Sequence, residues 1–533
     1  MAGRRNSLVG LLASCLLFAT GAALAEGPVF ANSDQCIACH SNMVDGDGNA
    51  LSIGHKWRAS MMALSAKDPY WMAGVRREIA DRPHLQGFIE DTCSICHMPM
   101  FRTTAVANGG SGEIIRYIEG GFEPDELRLA EDGVSCTVCH QISADNLGDH
   151  SSFDGGYEIA SSTPEETKIF GPFDVDAGHQ RIMQSASAVV PGEGLHIQKS
   201  ELCATCHTLF TPATNGDGEV IGEFAEQAPY LEWKHSSFAQ TASCQDCHMP
   251  EVDGSAQISS VLGEQRENVS RHEFRGGNVF MLTLLNKYRD ELNVTVPAED
   301  LEASAKATLE HLQNSSASVE IVSVKFSGYE AIIKVRVRNR AGHKLPTAYP
   351  SRRVWLNLAV TDISGDVLFE SGALNPDGSI AGNDNDADSL SFERHYLEID
   401  SPDQVQIYEP VIADYRDEVT TSLLSGATYV KDNRLLPNGF DKATADAGVA
   451  VRGGAMTDDD FAAGGDEIVY RVELDEGTDQ INVSARLYYQ TIGFRWAVNL
   501  KAYDSLETKR FVTYYEDNAD ISAVILAEDE HQQ

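Results

Sequence analysis

From residue 317 onward, apolar and polar positions alternate with a period of two, the spacing of a strand that buries one face. One segment places Ile333, Val335 and Val337 on one face, with lysine or arginine at the positions between them. The pattern recurs at Ile468, Tyr470, Val472 and Leu474, and at Ile481, Val483, Ala485, Leu487 and Tyr489. Short strands joined by turns rich in glycine, aspartate and asparagine predict an antiparallel β-sandwich of immunoglobulin-like type over residues 317–533.

A helical period precedes this region, in residues 276–316. Two segments there repeat apolar residues every three or four positions, and Pro297 suits the start of the second. We therefore predict a short helical connector made of two helices. Their apolar faces are Met281, Leu284, Leu285, Tyr288 and Leu292, and then Leu301, Ala305, Leu309 and Leu312.

Residues 26–275 show little periodicity of either kind. Intervals such as NMVDGDGNALSIGH and FTPATNGDGEVIGEF are rich in glycine, aspartate, serine and proline. Segments of this composition bury too little apolar side chain to fold alone, so a bound group has to supply the missing core. The predicted fold class is thus α+β multidomain, with a loop-rich, partly helical domain over residues 26–275 followed by the connector and the sandwich.

The first 25 residues read as a secretory signal peptide. Arg4 and Arg5 precede an apolar stretch that ends in Ala-Leu-Ala, which predicts cleavage after Ala25 and export to the periplasm or beyond. The LASC sequence at Cys15 imitates a lipoprotein box, which keeps an outer-membrane-associated form as an alternative. No later apolar run is long enough to cross a bilayer, so we expect no transmembrane segment.

The net charge of −39 limits the kinds of partner that the protein can bind. A surface this acidic repels the phosphates of nucleic acids, so we expect no nucleic acid partner. It suits docking to basic redox proteins, although solvation in a salty medium explains the same charge.

Ten of the eleven cysteines form five C-x-x-C-H motifs, which is the attachment signature of c-type haem. In this chemistry both thiols bond to the haem and the following histidine binds the iron. The sequence therefore predicts five covalent haems. The cysteines are Cys36, Cys39, Cys93, Cys96, Cys136, Cys139, Cys203, Cys206, Cys244 and Cys247, and the proximal histidines are His40, His97, His140, His207 and His248.

Three other interpretations of these cysteines are weaker. Structural zinc uses four ligands from paired motifs, and five pairs do not divide evenly into such sites. Redox C-x-x-C motifs do not require a histidine after the second cysteine, yet all five have one. A disulfide that closes a two-residue loop five times over is an unusual way to stabilise an exported protein.

Eleven further histidines are available for the second axial position of each iron. Two axial imidazoles suit electron transfer and leave no open site for substrate. The candidates chosen for this role are His55, His179, His196, His272 and His343. His84, His150, His235 and His395 are weaker candidates, while His311 and His531 are interpreted as surface residues.

Asp384, Asp386 and Asp388 stand at alternate positions, as at the start of a calcium loop. Ser389 and His395 occupy the positions where an EF-hand needs glycine and glutamate, so an EF-hand is excluded. A looser calcium site and a solvated turn both remain open.

These motifs, together with LCATCHTLFTP, YLEWKHSSF, RHEFRGGN and GHKLPT, resemble those of the large exported multihaem c-type cytochromes of respiratory bacteria. The resemblance implies close-packed, bis-histidine haems that conduct electrons. It also implies redox partners such as other cytochromes and quinol-linked or terminal reductases. Some similar proteins assemble into filaments, so a homo-oligomer is a further alternative.

An enzyme is the competing function. A multihaem reductase or oxidase of a small nitrogen or sulfur compound needs one iron with an open position. Pentahaem nitrite reductases usually carry one C-x-x-C-K motif, and this chain has none. The sequence therefore favours an electron carrier.

Overall fold

The structure is a computed structural model that describes residues 30–160 and 166–533. The predicted signal peptide, with Cys15, lies outside the described residues. Within them, no helix combines the length and apolar character needed to cross a membrane. The content is mixed helix and sheet, as the predicted α+β class requires.

Residues 30–275, here called the motif region, consist of short helices and two-stranded sheets. The helices are Ser33–Ile37, Ile53–Arg58, Pro69–Asp81, Gln86–His97, Pro99–Ala107, Ile114–Ile118, Pro124–Glu131, Cys136–Gln141, Ala177–Ser187, Ser200–Ala204, Pro229–Lys234 and Cys244–His248. The strand pairs are Met43–Val44 with Ala50–Leu51, Thr167–Gly171 with Val189–Glu193, Leu209–Thr214 with Val220–Gln227, and Ser255–Gln257 with Gln265–Glu267.

The two predicted connector helices are present, as Val279–Lys287 and Ala298–Ser315. The first buries Met281, Leu284 and Leu285, and the second buries Leu301 and Leu312. Proline precedes the second helix because its fixed φ suits a helix start and it has no backbone N–H that needs a partner.

Residues 317–533, here called the sheet region, contain three sheets. The first has the strand order Glu398–Ile399, Gly465–Glu473, Glu330–Asn339, Ala317–Phe326. The second has the order Val367–Ser371, Arg353–Thr361, Asn482–Gln490, Ala523–Gln532, with Ile407–Tyr408 also paired to Arg353–Thr361. The third has the order Val419–Thr420, Pro410–Ala413, Thr428–Asp432. All pairs are antiparallel except the one between Glu398–Ile399 and Gly465–Glu473.

The first two sheets share one apolar core. Ile333, Val335 and Val337 are fully buried on one sheet, and they belong to the same cluster as Leu356 and Leu487 of the other. The alternation read from the sequence therefore marks the face that each strand turns inward. The immunoglobulin-like topology stays a prediction, because the strand orders do not establish it.

The sheet region is not all strand, which corrects the sequence prediction. Helices Phe494–Val498 and Leu506–Glu516 follow the strand Asn482–Gln490. The second helix buries Phe511, whose ring lies 4.9 Å from that of Tyr70 in the motif region. The regions thus share a packed contact, and the predicted domain boundaries remain a prediction.

Candidate haem-binding site

Each cysteine pair lies in or beside a short helical turn. Cys36, Cys93, Cys136, Cys203 and Cys244 all lie in helices, and the second cysteine follows three positions later. Residues three apart share one face of a helix, so both thiols point the same way in the second, third and fifth motifs, where both cysteines are helical. All ten cysteines are free thiols. The disulfide interpretation therefore has no support in the described residues.

Four of the five proximal histidines are oriented by a backbone carbonyl. The Nδ1 of His40 donates to Ile258 O at 2.6 Å, and that of His140 donates to Phe170 O at 2.6 Å. The Nδ1 of His97 donates to Ser65 O at 3.0 Å, and that of His248 donates to Arg275 O. A hydrogen bond of this kind fixes the tautomer and leaves Nε2 free to bind a metal.

The surroundings of His97, His140 and His248 keep these three imidazoles neutral, which is the form that binds metal. Loss of hydration lowers the pKa of His97 and of His248 to about 4. It also lowers the pKa of His140. All three residues nevertheless retain some solvent-accessible surface. They therefore line clefts enclosed by protein.

His207 differs from the other four. It is an exposed residue. Loss of hydration to the surrounding protein atoms, followed by the charge of Arg352, nevertheless lowers the pKa of its ring. Arg352 lies in the loop before the strand Arg353–Thr361, so the sheet region reaches this motif as well.

Two of the predicted distal histidines lie opposite proximal ones. The ring centroids of His140 and His272 are 6.4 Å apart, with planes 14° from parallel. Those of His248 and His343 are 6.2 Å apart, with planes 10° from parallel. A metal ion held between two imidazole nitrogens, each about 2 Å away, separates the ring centres by roughly 6 Å. The residues present therefore fit an iron between each pair.

The other three predicted distal histidines do not face a proximal ring in this way. His196 donates from Nε2 to Ile142 O at 2.8 Å, close to the third motif. His179 has both ring nitrogens engaged, by Asp176 and by Leu262 O. His55 is half-buried in helix Ile53–Arg58.

Among the weaker candidates, His84 and His150 are exposed, and His235 pairs with Asp446. The prediction of a surface position for His311 is wrong. Its ring centroid lies 5.9 Å from that of His248, at 55°. Its position off the apolar face of helix Ala298–Ser315 turned it toward the fifth motif, and sequence periodicity alone did not distinguish that cleft from solvent.

His395 lies inside the sheet region in a buried group with Asp458 and Asp466. Its Nδ1 accepts hydrogen bonds from the amides of Gln406 and Asn433 at 2.8 and 3.1 Å. Nε2 therefore carries the proton and donates it to Asp458 at 2.9 Å. This tautomer leaves no ring nitrogen for a metal, so the group is a hydrogen-bonded part of the core.

The aspartates considered for calcium do not act together. Asp386 is buried and forms a bidentate ion pair with Arg353, at 2.8 and 2.9 Å. Asp388 accepts from Leu390 N and Ser391 Oγ. The carboxylate of Asp386 is thus not available to a cation together with those of Asp384 and Asp388.

The five motifs are brought together in an order that differs from their order in the sequence. The thiols of Cys36 and Cys136, of Cys96 and Cys206, and of Cys203 and Cys244 lie within hydrogen-bonding reach of each other. The first motif therefore neighbours the third, and the fourth neighbours both the second and the fifth.

Side-chain and backbone contacts fix two of these neighbours. Asp132 accepts from Ser33 Oγ and Ser135 Oγ, each at 2.5 Å, and so joins the first motif to the third. Ser200 Oγ accepts from Cys244 N at 3.0 Å, which joins the fourth motif to the fifth. The contacts of Ser33 with Asp132 and of Ser200 with Cys244 were not predictable from the sequence because they link residues 99 and 44 positions apart.

Comparisons with known proteins give a match at the level of the fold. No family model matches the chain, and no curated protein matches it. Its fold is similar to the crystal structure of a penta-heme cytochrome c552 from Thermochromatium tepidum, with a TM-score of 0.51 and 16% identity. The alignment covers 94% of this chain and 99% of that one. At this identity the likeness concerns the fold, and at that level it confirms the resemblance to multihaem cytochromes.

Proposed function

We propose that this chain is an exported multihaem c-type cytochrome that relays electrons through five covalently bound haems. The observation that carries the proposal is the geometry of the imidazoles. Two proximal rings face a second ring at the distance an axially bound iron requires, and four donate Nδ1–H to a carbonyl. Bound haem would supply one-electron chemistry at iron.

The chain's own residues would attach, orient and connect these groups. The ten motif cysteines would form the thioether bonds, and the five proximal histidines would bind iron from one side. His272 and His343 would complete the axial ligation of the third and fifth haems. The neighbouring motifs would then give a relay in which the fourth haem adjoins the second and the fifth.

The sequence features agree with a role outside the cytoplasm. Covalent haem c in an exported chain suits the periplasm or the cell exterior. The charge of −39 suits partners with basic docking faces, such as other cytochromes or terminal reductases.

One observation favours the alternative of a reductase. Arg352 lies close enough to influence His207, and a guanidinium near a haem suits an anionic substrate such as nitrite. That function requires one iron with an open axial position. Nitrite added to the resting protein would then change the visible spectrum, whereas a pure carrier would leave it unchanged.

The main test uses protein made in a host that matures c-type cytochromes. We expect a red protein whose haem stays with the polypeptide on denaturing gels. The intact mass should equal the processed chain plus five haems, and EPR should be dominated by low-spin iron. A colourless chain with the mass of its amino acids alone would overturn the proposal.

A further inference from the structure

The loop that carries His343 belongs to the sheet region, yet it reaches into the motif region. It follows the strand Glu330–Asn339, and Asn339 Nδ2 donates to the carbonyl of His343 at 2.8 Å. The Nδ1 of His343 donates to Lys344 O at 2.9 Å, which fixes the tautomer of a ring whose centroid lies 6.2 Å from that of His248. The ring is therefore held through the backbone of its own loop.

Glu232 is the residue of the motif region to which this loop is hydrogen-bonded. It lies in helix Pro229–Lys234, between the fourth and fifth motifs, and its side chain is fully buried. Its Oε2 accepts from Lys344 N at 3.1 Å and from Thr347 Oγ1 at 2.5 Å. One carboxylate oxygen thus binds the loop on both sides of Leu345 and Pro346, directly after His343.

The other carboxylate oxygen of Glu232 connects the His343 loop to the third sheet. Oε1 accepts from Arg434 Nη1 at 2.7 Å, and Arg434 also forms two hydrogen bonds to Asp432, at 2.9 and 2.8 Å. Lys344 Nζ donates to Asp432 at 2.7 Å. Two carboxylates and two cations therefore balance one another in a buried cluster.

The cluster is strongly coupled. Burial alone would raise the pKa of Asp432, but Arg434 and Lys344 outweigh it and lower that pKa to about 2. Losing one buried charged partner leaves the others uncompensated, which costs far more than losing an exposed ion pair. The cluster therefore has one favoured arrangement, and that arrangement sets the position of the loop.

From these contacts we infer that Glu232 is a positioning residue that fixes His343 opposite His248. It acts on the fifth haem site through the loop and does not touch the iron itself. The inference rests on the proposed function, since it concerns the axial ligation of that haem.

The test replaces Glu232 by glutamine in the full-length holoprotein. All three groups that face Glu232 are donors, and an amide offers only one acceptor oxygen, so at least one donor meets an N–H group. We expect up to one fifth of the haem iron to become high-spin in EPR. Added imidazole should restore the low-spin signal, because a displaced His343 would leave one coordination position of that iron open.

Three further variants make the result specific. Glu232→Asp keeps the charge and should retain more low-spin iron than Glu232→Gln. Asp458→Asn removes a buried carboxylate elsewhere in the sheet region and should leave the EPR spectrum of the unaltered protein unchanged. His343→Ala should give the same high-spin fraction as Glu232→Gln, and the double variant should add nothing.

The outcomes separate the inference from the proposed function. High-spin iron in His343→Ala but not in Glu232→Gln would overturn the positioning role alone. Low-spin iron in both would overturn His343 as a ligand, and absence of covalent haem in the unaltered chain would overturn the proposed function. If Glu232→Gln does not accumulate, Thr347→Val removes one donor without changing charge. If Thr347→Val protein contains high-spin iron that binds added imidazole, the inference is supported. If its iron stays low-spin and binds no imidazole, the inference is overturned.

Discussion

The rings of His248 and His343 lie 6.2 Å apart although 95 positions separate the two residues in the sequence. His248 closes the fifth C-x-x-C-H motif, and His343 stands on a loop of the sheet region. A site for the fifth haem would therefore be shared between two parts of the chain. The sheet region, which carries no motif of its own, would then take part in electron transfer directly.

The first prediction concerns His343→Ala. Removing this imidazole should leave the fifth iron with one strong axial ligand, so that one haem in five becomes high-spin. EPR of the oxidised protein and cyanide binding measure that fraction. His84→Ala, at an exposed position, should leave the spectrum unchanged. A fully low-spin His343→Ala protein would show that another residue is the ligand.

The second prediction concerns His272→Ala, which should have the same effect on the third haem. The two facing pairs belong to different motifs, so the His272→Ala and His343→Ala effects should add, giving about two haems in five in the double variant. Redox titration should show two components shifted from their original midpoints. A double variant no different from either single one would mean that both residues serve a single site.

Much of this site was readable from the sequence, for a physical reason. The C-x-x-C-H motif is local, because covalent attachment needs two thiols and an imidazole on adjacent turns, and all five stood out directly. Strand faces such as that of Ile333, Val335 and Val337 were equally local. Those features depend on neighbours a few residues away.

The pairing of histidines was not readable in the same way. The sequence offers His272 and His343 among five distal candidates, and nothing in their local sequence identifies which proximal ring each one faces. The polar helix face of His311 predicts a surface position, yet its ring lies beside that of His248. Such contacts depend on long-range packing, which includes the buried hydrogen bonds between Glu232 and the His343 loop.

The third prediction concerns the fifth motif itself. Replacing Cys244 and Cys247 together by alanine should remove both thioether bonds, so the intact mass should fall by one haem beyond the change in side chains. We also expect the protein to become less stable, because the sequence predicts that bound groups supply part of the core of residues 26–275. Ser243→Ala, next to the motif, should keep all five haems. An unchanged haem count in the double cysteine variant would contradict the assignment.

The fourth prediction concerns pH and the buried carboxyl of Asp466. Burial, reinforced by the charges of Asp458 and Asp460, outweighs the hydrogen bonds from Tyr408 and Gln406 and raises the pKa of Asp466 to about 8. In the unfolded chain the pKa of an aspartate is about 4. Between these values the unfolded state releases a proton that the folded state keeps. The stabilising effect of this group is therefore full below about pH 4 and lost as pH rises to about 8.

Asp466→Asn should remove this dependence. The asparagine oxygen can accept the hydrogen bonds from Gln406 and Tyr408, and its amide group can occupy the position of Oδ1, which has no hydrogen-bond partner. The free energy of unfolding of the unaltered protein should then fall relative to the variant by at most about 1.4 kcal/mol per pH unit. Urea unfolding at pH 5, 6.5 and 8 measures this slope, with Asp403→Asn as an exposed control. Parallel pH profiles for Asp466→Asn and the unaltered protein would show that Asp466 is ionised in the folded state, because only a carboxyl that keeps its proton on folding produces the difference.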